Sequence, residues 1–122
     1  MLKTFKELVV WQKSFALCKR IYRATKAFPA DERFGLTSQL RRVAVSIPSN
    51  IAEGYGRATT RDYVRFLWIA NGSVAELETQ LMLANELGLL SKDQDAGVID
   101  EVAEVERMLK ALIRSLDAKA GK

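Results

Sequence analysis

The chain contains no histidine, and that absence removes the commonest side-chain chemistries available at neutral pH. No Ser-His or Cys-His nucleophile pair can be built, and no His-ligated zinc. A metal would have to be held by carboxylates alone. Glu76 and Glu78 stand two residues apart, so one helix cannot present both on a common face. Glu53 with Glu76 is a conceivable pair between helices, but no Glu-x-x-His element accompanies them. Ser46, Ser49, Asn50 and Glu53 gather around Pro48. A polar pocket is one reading of them, and satisfaction of backbone groups freed by the proline is the simpler one. Cys18 falls on an apolar helical row and reads as a small buried side chain. The expectation is no catalytic residue, no metal and no cofactor.

The cations offer a different chemistry. Guanidinium forks match phosphate oxygens, and Arg41-Arg42 are two such groups pointing about 100° apart on a helix. One of them has Glu53, Glu76 or Glu78 as a candidate ion-pair partner, and phosphate contact is the alternative. Lys19, Arg20, Arg23 and Lys26 form a basic stripe, and Arg57, Arg61 and Arg65 cluster about a tight turn. Either group could follow a phosphate backbone. The aromatic residues fall on core registers rather than between the exposed cations, so base stacking is not expected.

These groups must be positioned by one domain, residues 1–122, since the chain has 122 residues, 48% of them hydrophobic and 28% charged. Two prolines and seven glycines leave room for few, short loops, which favours helices. Residues 1–65 carry thirteen Lys/Arg against five Asp/Glu, whereas residues 66–122 carry six against ten. A basic half invites nucleic acid. Equally, basic and acidic helices can lie side by side and neutralise one another. No apolar run is long enough for a membrane span, and residues 1–7 lack the apolar centre of a secretory signal. A single cysteine fits a cytoplasmic protein.

Four helices are predicted. The first runs from Leu8 to Ala27, stopped by Phe28-Pro29. It carries two apolar rows: Leu8, Trp11, Phe15, Cys18, Tyr22 and Thr25, and beside them Val10, Ser14, Leu17, Ile21, Ala24 and Phe28. Two apolar faces imply two partners, one of them outside the subunit. The second helix starts near Leu36 with Leu40, Val43, Ile47 and Ile51 buried. It is either kinked at Pro48 or ended and restarted there, with a left-handed cap at Gly54 or Gly56. The third runs from about Arg61 to Leu87, capped by Thr59 or Thr60 and closed by Gly88. The small residues Asn71-Gly72-Ser73 within it suggest close approach of another helix. The fourth opens at Ser91 and follows Val98, Val102, Val105, Leu109, Leu112 and Leu116, a coiled-coil-like seam, before a frayed tail over 117–122. The fold class is all-α: an antiparallel up-down-up-down four-helix bundle with a proline-kinked second helix and a helical core from Leu8 to Leu116.

Trp11-Gln12-Lys13, Phe28-Pro29, Phe34-Gly35-Leu36-Thr37-Ser38-Gln39-Leu40-Arg41-Arg42, Ser46-Ile47-Pro48-Ser49-Asn50-Ile51-Ala52-Glu53-Gly54, Arg65-Phe66-Leu67 and Gly72-Ser73 with Glu76-Leu77-Glu78-Thr79-Gln80 occur in that order. In these residues the chain resembles the 23S rRNA intervening-sequence protein family over nearly its whole length. The resemblance implies a bacterial four-helix bundle. Related bundles form ring-shaped homopentamers, and one relative, the accessory protein of diversity-generating retroelements, is basic, binds nucleic acid and partners a reverse transcriptase. No catalytic residue is implied, because the family motif has none with an assigned role. Trp68 and Met82, fourteen residues apart on one face through Ala75, would be exposed on a monomer. Together with Leu17 and Ile21 of the double-faced first helix, they are the expected contacts between copies. The chain is thus expected to be a non-enzymatic homo-oligomer, for which the resemblance implies a pentamer, and its other expected partner is RNA or DNA. In the alternative it is a purely structural or protein-binding ring.

Overall fold

A computed structural model describes residues 2–120, apart from the side chains of Asp95 and Ala120. Four long helices account for most of it, and no strand occurs among the described residues. A short 3-10 turn, Phe5–Glu7, precedes α1 (Val9–Thr25); a second, Ala30–Glu32, precedes α2 (Leu36–Tyr55); α3 (Thr60–Glu86) and α4 (Lys92–Ala120) follow. The first turn is held by Thr4 and Glu7 in a reciprocal capping box.

The two apolar rows of α1 have different fates. Val10, Ser14, Leu17, Ile21 and Ala24 enter the core. In the other row Leu8, Trp11 and Cys18 are half-buried, while Phe15 and Tyr22 remain 45% and 40% exposed. Cys18 is therefore not the core side chain that its row suggests. Partial burial still pushes its thiol pKa up, which keeps it protonated and unreactive at neutral pH.

The second helix passes through Pro48 without ending or restarting. Ser46 Oγ donates to the Val43 carbonyl at 2.6 Å and the Asn50 amide to the Ser46 carbonyl at 2.8 Å, so these polar groups serve the backbone around the proline. Leu36, Leu40, Val43, Ala44, Ile47 and Ile51 line the core. Neither glycine at the helix end is left-handed: Gly56 has φ −81°. Gly54 has a packing role instead. A Cβ built there would lie 2.7 Å from Phe66 Cβ and 3.2 Å from the Tyr63 carbonyl, so α2 and α3 cross almost backbone to backbone.

Thr59 caps α3, accepting from the Asp62 amide at 3.1 Å. The one positive φ among the described residues is at Gly88, φ 74°, where the Leu89 amide reaches back to the Ala84 carbonyl at 2.9 Å. That is a Schellman ending. Gly72 has nothing within 4 Å of a built Cβ, so the close approach expected there is absent among the described residues of the subunit. Its neighbour Ser73 meets Ser46 at 2.8 Å. Ser91 and Gln94 open α4 with mutual side-chain-to-backbone bonds, each at 3.2 Å. The α4 seam buries Val98, Val102, Val105 and Leu109, then Ile113 rather than Leu112. The last step is four residues, not three, as an uncoiled helix of 3.6 residues per turn requires. Helix continues through 117–120, where a frayed tail was expected, and the rest of that tail lies outside the described residues.

Around the core α1 touches α2 and α4, and α3 touches α2 and α4, while α1 and α3 do not meet among the described residues. Between α2 and α3, Gln39 faces Gln80, Arg42 faces Glu76, Ser46 faces Ser73 and Gly54 faces Phe66. Beside the crossing sits Tyr63, its hydroxyl buried without a partner and its pKa pushed up to about 12 by burial and then by Tyr55. The unfolded phenol ionises near 10 and the folded one later, so stability is complete below pH 10 and falls as the pH rises toward 12. Tyr63→Phe should leave stability at pH 7 unchanged or slightly raised, because an unpaired buried hydroxyl is removed. Urea denaturation from pH 9 to 11.5 should show a shallower loss than the unaltered protein; equal slopes would refute the assignment.

Candidate functional site

The basic residues divide by what occupies them. Arg20 donates to Glu101 at 2.8 Å and Lys13 lies 3.3 Å from Glu104, both across α1 and α4. Arg20 reaches its partner over Gly97, where a Cβ would collide with its Nη2; the missing side chain is the space the guanidinium fills. Arg42 pairs with Glu76 at 3.2 Å, one of the three partners expected for it. Arg41 donates to Thr25 Oγ1 at 2.8 Å and to the Tyr22 carbonyl at 3.3 Å, with its guanidinium 4.8 Å from the Tyr22 ring. Arg57 is bridged to Glu53 at 3.1 Å and Arg65 to Asp62 at 3.6 Å. The same two guanidinium groups cover Phe66 at 4.5 and 4.7 Å. The turn cluster is thus largely structural, and only Arg61 there has no ion-pair partner among the described residues.

The remaining α1 cations have no ion-pair partner among the described residues, although Lys19 and Arg23 also border the Arg20–Glu101 pair in a depression between α1 and α4. Lys19, Arg23 and Lys26 line a shallow groove with Phe15, Cys18, Tyr22 and Val45. They make no ion pair among the described residues, and Lys19 lies 5.4 Å from the Phe15 ring. A second depression shares Tyr22 and is lined by Arg33, Phe34, Thr37, Ser38, Arg41 and Arg42. Phe34 is 88% exposed, with Arg33 5.5 Å from its ring. Exposed rings therefore do alternate with exposed cations, against the expectation from spacing. Spacing places Phe15 and Tyr22 on a core register of α1 that the fold leaves open, and Phe34 lies in a turn, where periodicity says nothing about burial. Arg33 and Phe34 escape a reading by periodicity for the same reason. A bulky aromatic followed by Gly35, just before the buried Leu36, is the signal that marks them.

The apolar end of the α1–α2 groove carries no charge: Phe5, Trp11, Phe15, Cys18, Val45, Pro48, Ser49 and Ala52 line it. Trp11 stacks on Phe15 at 4.9 Å and meets the Phe5 edge at 5.2 Å. On α3, Trp68 and Met82 are 50% and 59% exposed, with Ile69 and Leu83 beside them. Leu17 and Ile21, expected at a contact between copies, are 1% and 0% exposed. They belong to the core of the single chain, because the outward row of α1 is the one through Phe15 and Tyr22. Ser46 and Asn50 do not form a pocket, and no group of three acidic or cysteine side chains poised for a metal exists among the described residues. No described helix is long and apolar enough to cross a membrane.

A family profile described as "23S rRNA-intervening sequence protein" matches residues 6–111. The fold is also that of a crystal structure described as a protein with unknown function from the S23 ribosomal protein family, from Bacteroides thetaiotaomicron. The two sequences are 25% identical, the superposition covers 87% of this chain and 96% of that one, and the TM-score is 0.81. No curated protein matches the chain.

Proposed function

The chain belongs to the 23S rRNA-intervening sequence protein family, and from that premise we propose that it is a cytoplasmic, homo-oligomeric, non-enzymatic protein that holds nucleic acid by its phosphate backbone. The observation that carries the reading is the row of cations Lys19, Arg23 and Lys26 with Arg33 beyond them, none of which makes an ion pair among the described residues. Lys13 and Arg20 are already paired with α4 carboxylates, so the positive field of α1 comes from its remaining cations. Support for a binder rather than a catalyst comes from the missing histidine and from polar groups around Pro48 that are committed to the backbone.

The frame we read is an antiparallel up-down-up-down bundle, bent at Pro48. Falling α3 numbers against rising α2 numbers support it, as do Lys13 to Glu104 and Arg20 to Glu101 between α1 and α4. Copies associate through the uncharged end of the α1–α2 groove and the Trp68–Met82 face of α3. The groove and the α3 face are unlike surfaces, which suits head-to-tail contact, and such contact closes into a ring when the rotation permits. A ring of five follows the resemblance to ring-shaped bundles. The α1–α4 ion pairs favour a second reading, a structural ring with no nucleic-acid role, since they show basic and acidic helices neutralising each other.

Salt titration separates the two. Binding of mixed RNA or DNA should weaken as salt rises. Replacing Arg23 and Lys26 by glutamine should lower the slope by about 0.7–0.9 for every phosphate that is no longer neutralised. Light scattering should show the assembly unchanged. Failure of micromolar protein to shift either nucleic acid at low salt would leave the structural ring as the function.

A further inference from the structure

We propose that the basic face is built for an unpaired strand, whose bases stack on Phe34 and Tyr22 while its phosphates lie on Arg23, Lys26 and Arg33. This deepens the backbone-binding reading and rests on it. A large aromatic side chain left 88% exposed gains nothing for the fold, and Phe34 is the most exposed of the large hydrophobic residues described. It does not stand on an apolar patch that another protein surface would cover. Arg33 lies against it, and Arg41 and Arg42 line the same depression. A second copy meeting this depression with the same face would bring like charges against these. A polyanion would not.

The geometry narrows the polyanion to one with free bases. Tyr22 is shared by the two adjoining depressions, its ring backed by Arg41, which Thr25 and the Tyr22 carbonyl hold in place. The site therefore offers a fixed ring at the centre, a projecting ring at one end and cations on both sides. Duplex DNA or RNA hides its base faces within the stack and would use only the cations, whereas an unpaired strand uses both. Base–aromatic stacking tolerates any base on either sugar. Oligo(U) and oligo(dT) should then bind within a few-fold of each other.

The test is fluorescence anisotropy with labelled sixteen-nucleotide oligo(U), oligo(dT) and a blunt duplex of equal length. The unaltered protein should prefer both single strands. Phe34→Ala should weaken their binding about tenfold, one stacked base's worth at about 1.4 kcal/mol, without changing the salt slope or the affinity for duplex. Phe34→Trp should restore it. Because Phe34 contributes little to the core, the melting temperature should not move. Equal affinity for duplex and single strand, or wild-type binding by Phe34→Ala, would overturn the stacking site and leave the backbone reading standing. Absence of binding to all three probes would overturn both.

Discussion

Alanine in place of Gly54 should destabilise the subunit by about 1–3 kcal/mol, seen as a melting temperature lower by roughly 4 °C for each kcal/mol. An added methyl group at mid-helix ordinarily helps, by about 0.5–1 kcal/mol relative to glycine. Here it would meet Phe66 Cβ at 2.7 Å and the α3 backbone at 3.2 Å. Neither is the free end of a flexible side chain, so the two helices must separate. That separation would disturb Ile51, Leu67 and Ala70, each fully buried. Gly72→Ala is the matched control. Nothing lies within 4 Å of its built Cβ, so the same substitution there should raise stability by about 0.5–1 kcal/mol. Thermal unfolding of the two variants should bracket the parent from opposite sides. A Gly54→Ala protein that melts at or above the parent would mean that the crossing is looser than the distances state.

The second large effect should be on assembly. If copies associate as proposed, Trp68→Glu combined with Met82→Glu should leave a single 13.7 kDa subunit, read by light scattering, with helical circular dichroism unchanged. Both side chains are at least half exposed in the subunit, so the fold loses little when they become charged. Across an interface, buried unpaired carboxylates would be costly. Assembly that survives both charges would remove the α3 face from the contact. A protein that is already a lone subunit before substitution would remove self-association altogether.

Much of this fold is legible in the sequence because helices announce themselves by spacing. The α4 seam, the Thr59 cap, the Ser91 opening and the Gly88 ending all follow from local rules that tertiary contacts do not override. What spacing cannot do is choose between two adjacent apolar rows of one helix. On α1 both step by three and four, and only the position of α2 and α4 decides that Leu17 and Ile21 go inward while Phe15 and Tyr22 stay out. Gly54 shows the same limit. Its type suggests a cap, yet the need for glycine comes from Phe66 and Tyr63 on another helix. The cations are visible as residues but not as partners: Arg20 and Arg42 are engaged by carboxylates eighty-one and thirty-four positions away. Ile113 in place of Leu112 is a smaller case, a drift that a strict heptad hides.

Gly97 has an effect out of proportion to its chemistry. It has no charge and no side chain, yet the recess it leaves is what lets Arg20 lie flat against α4 and reach Glu101. Any larger residue at that position would have to displace the guanidinium from this recess. The bridge between the two helices is therefore set at a neutral locus, and it can be altered there with both charged residues left in place.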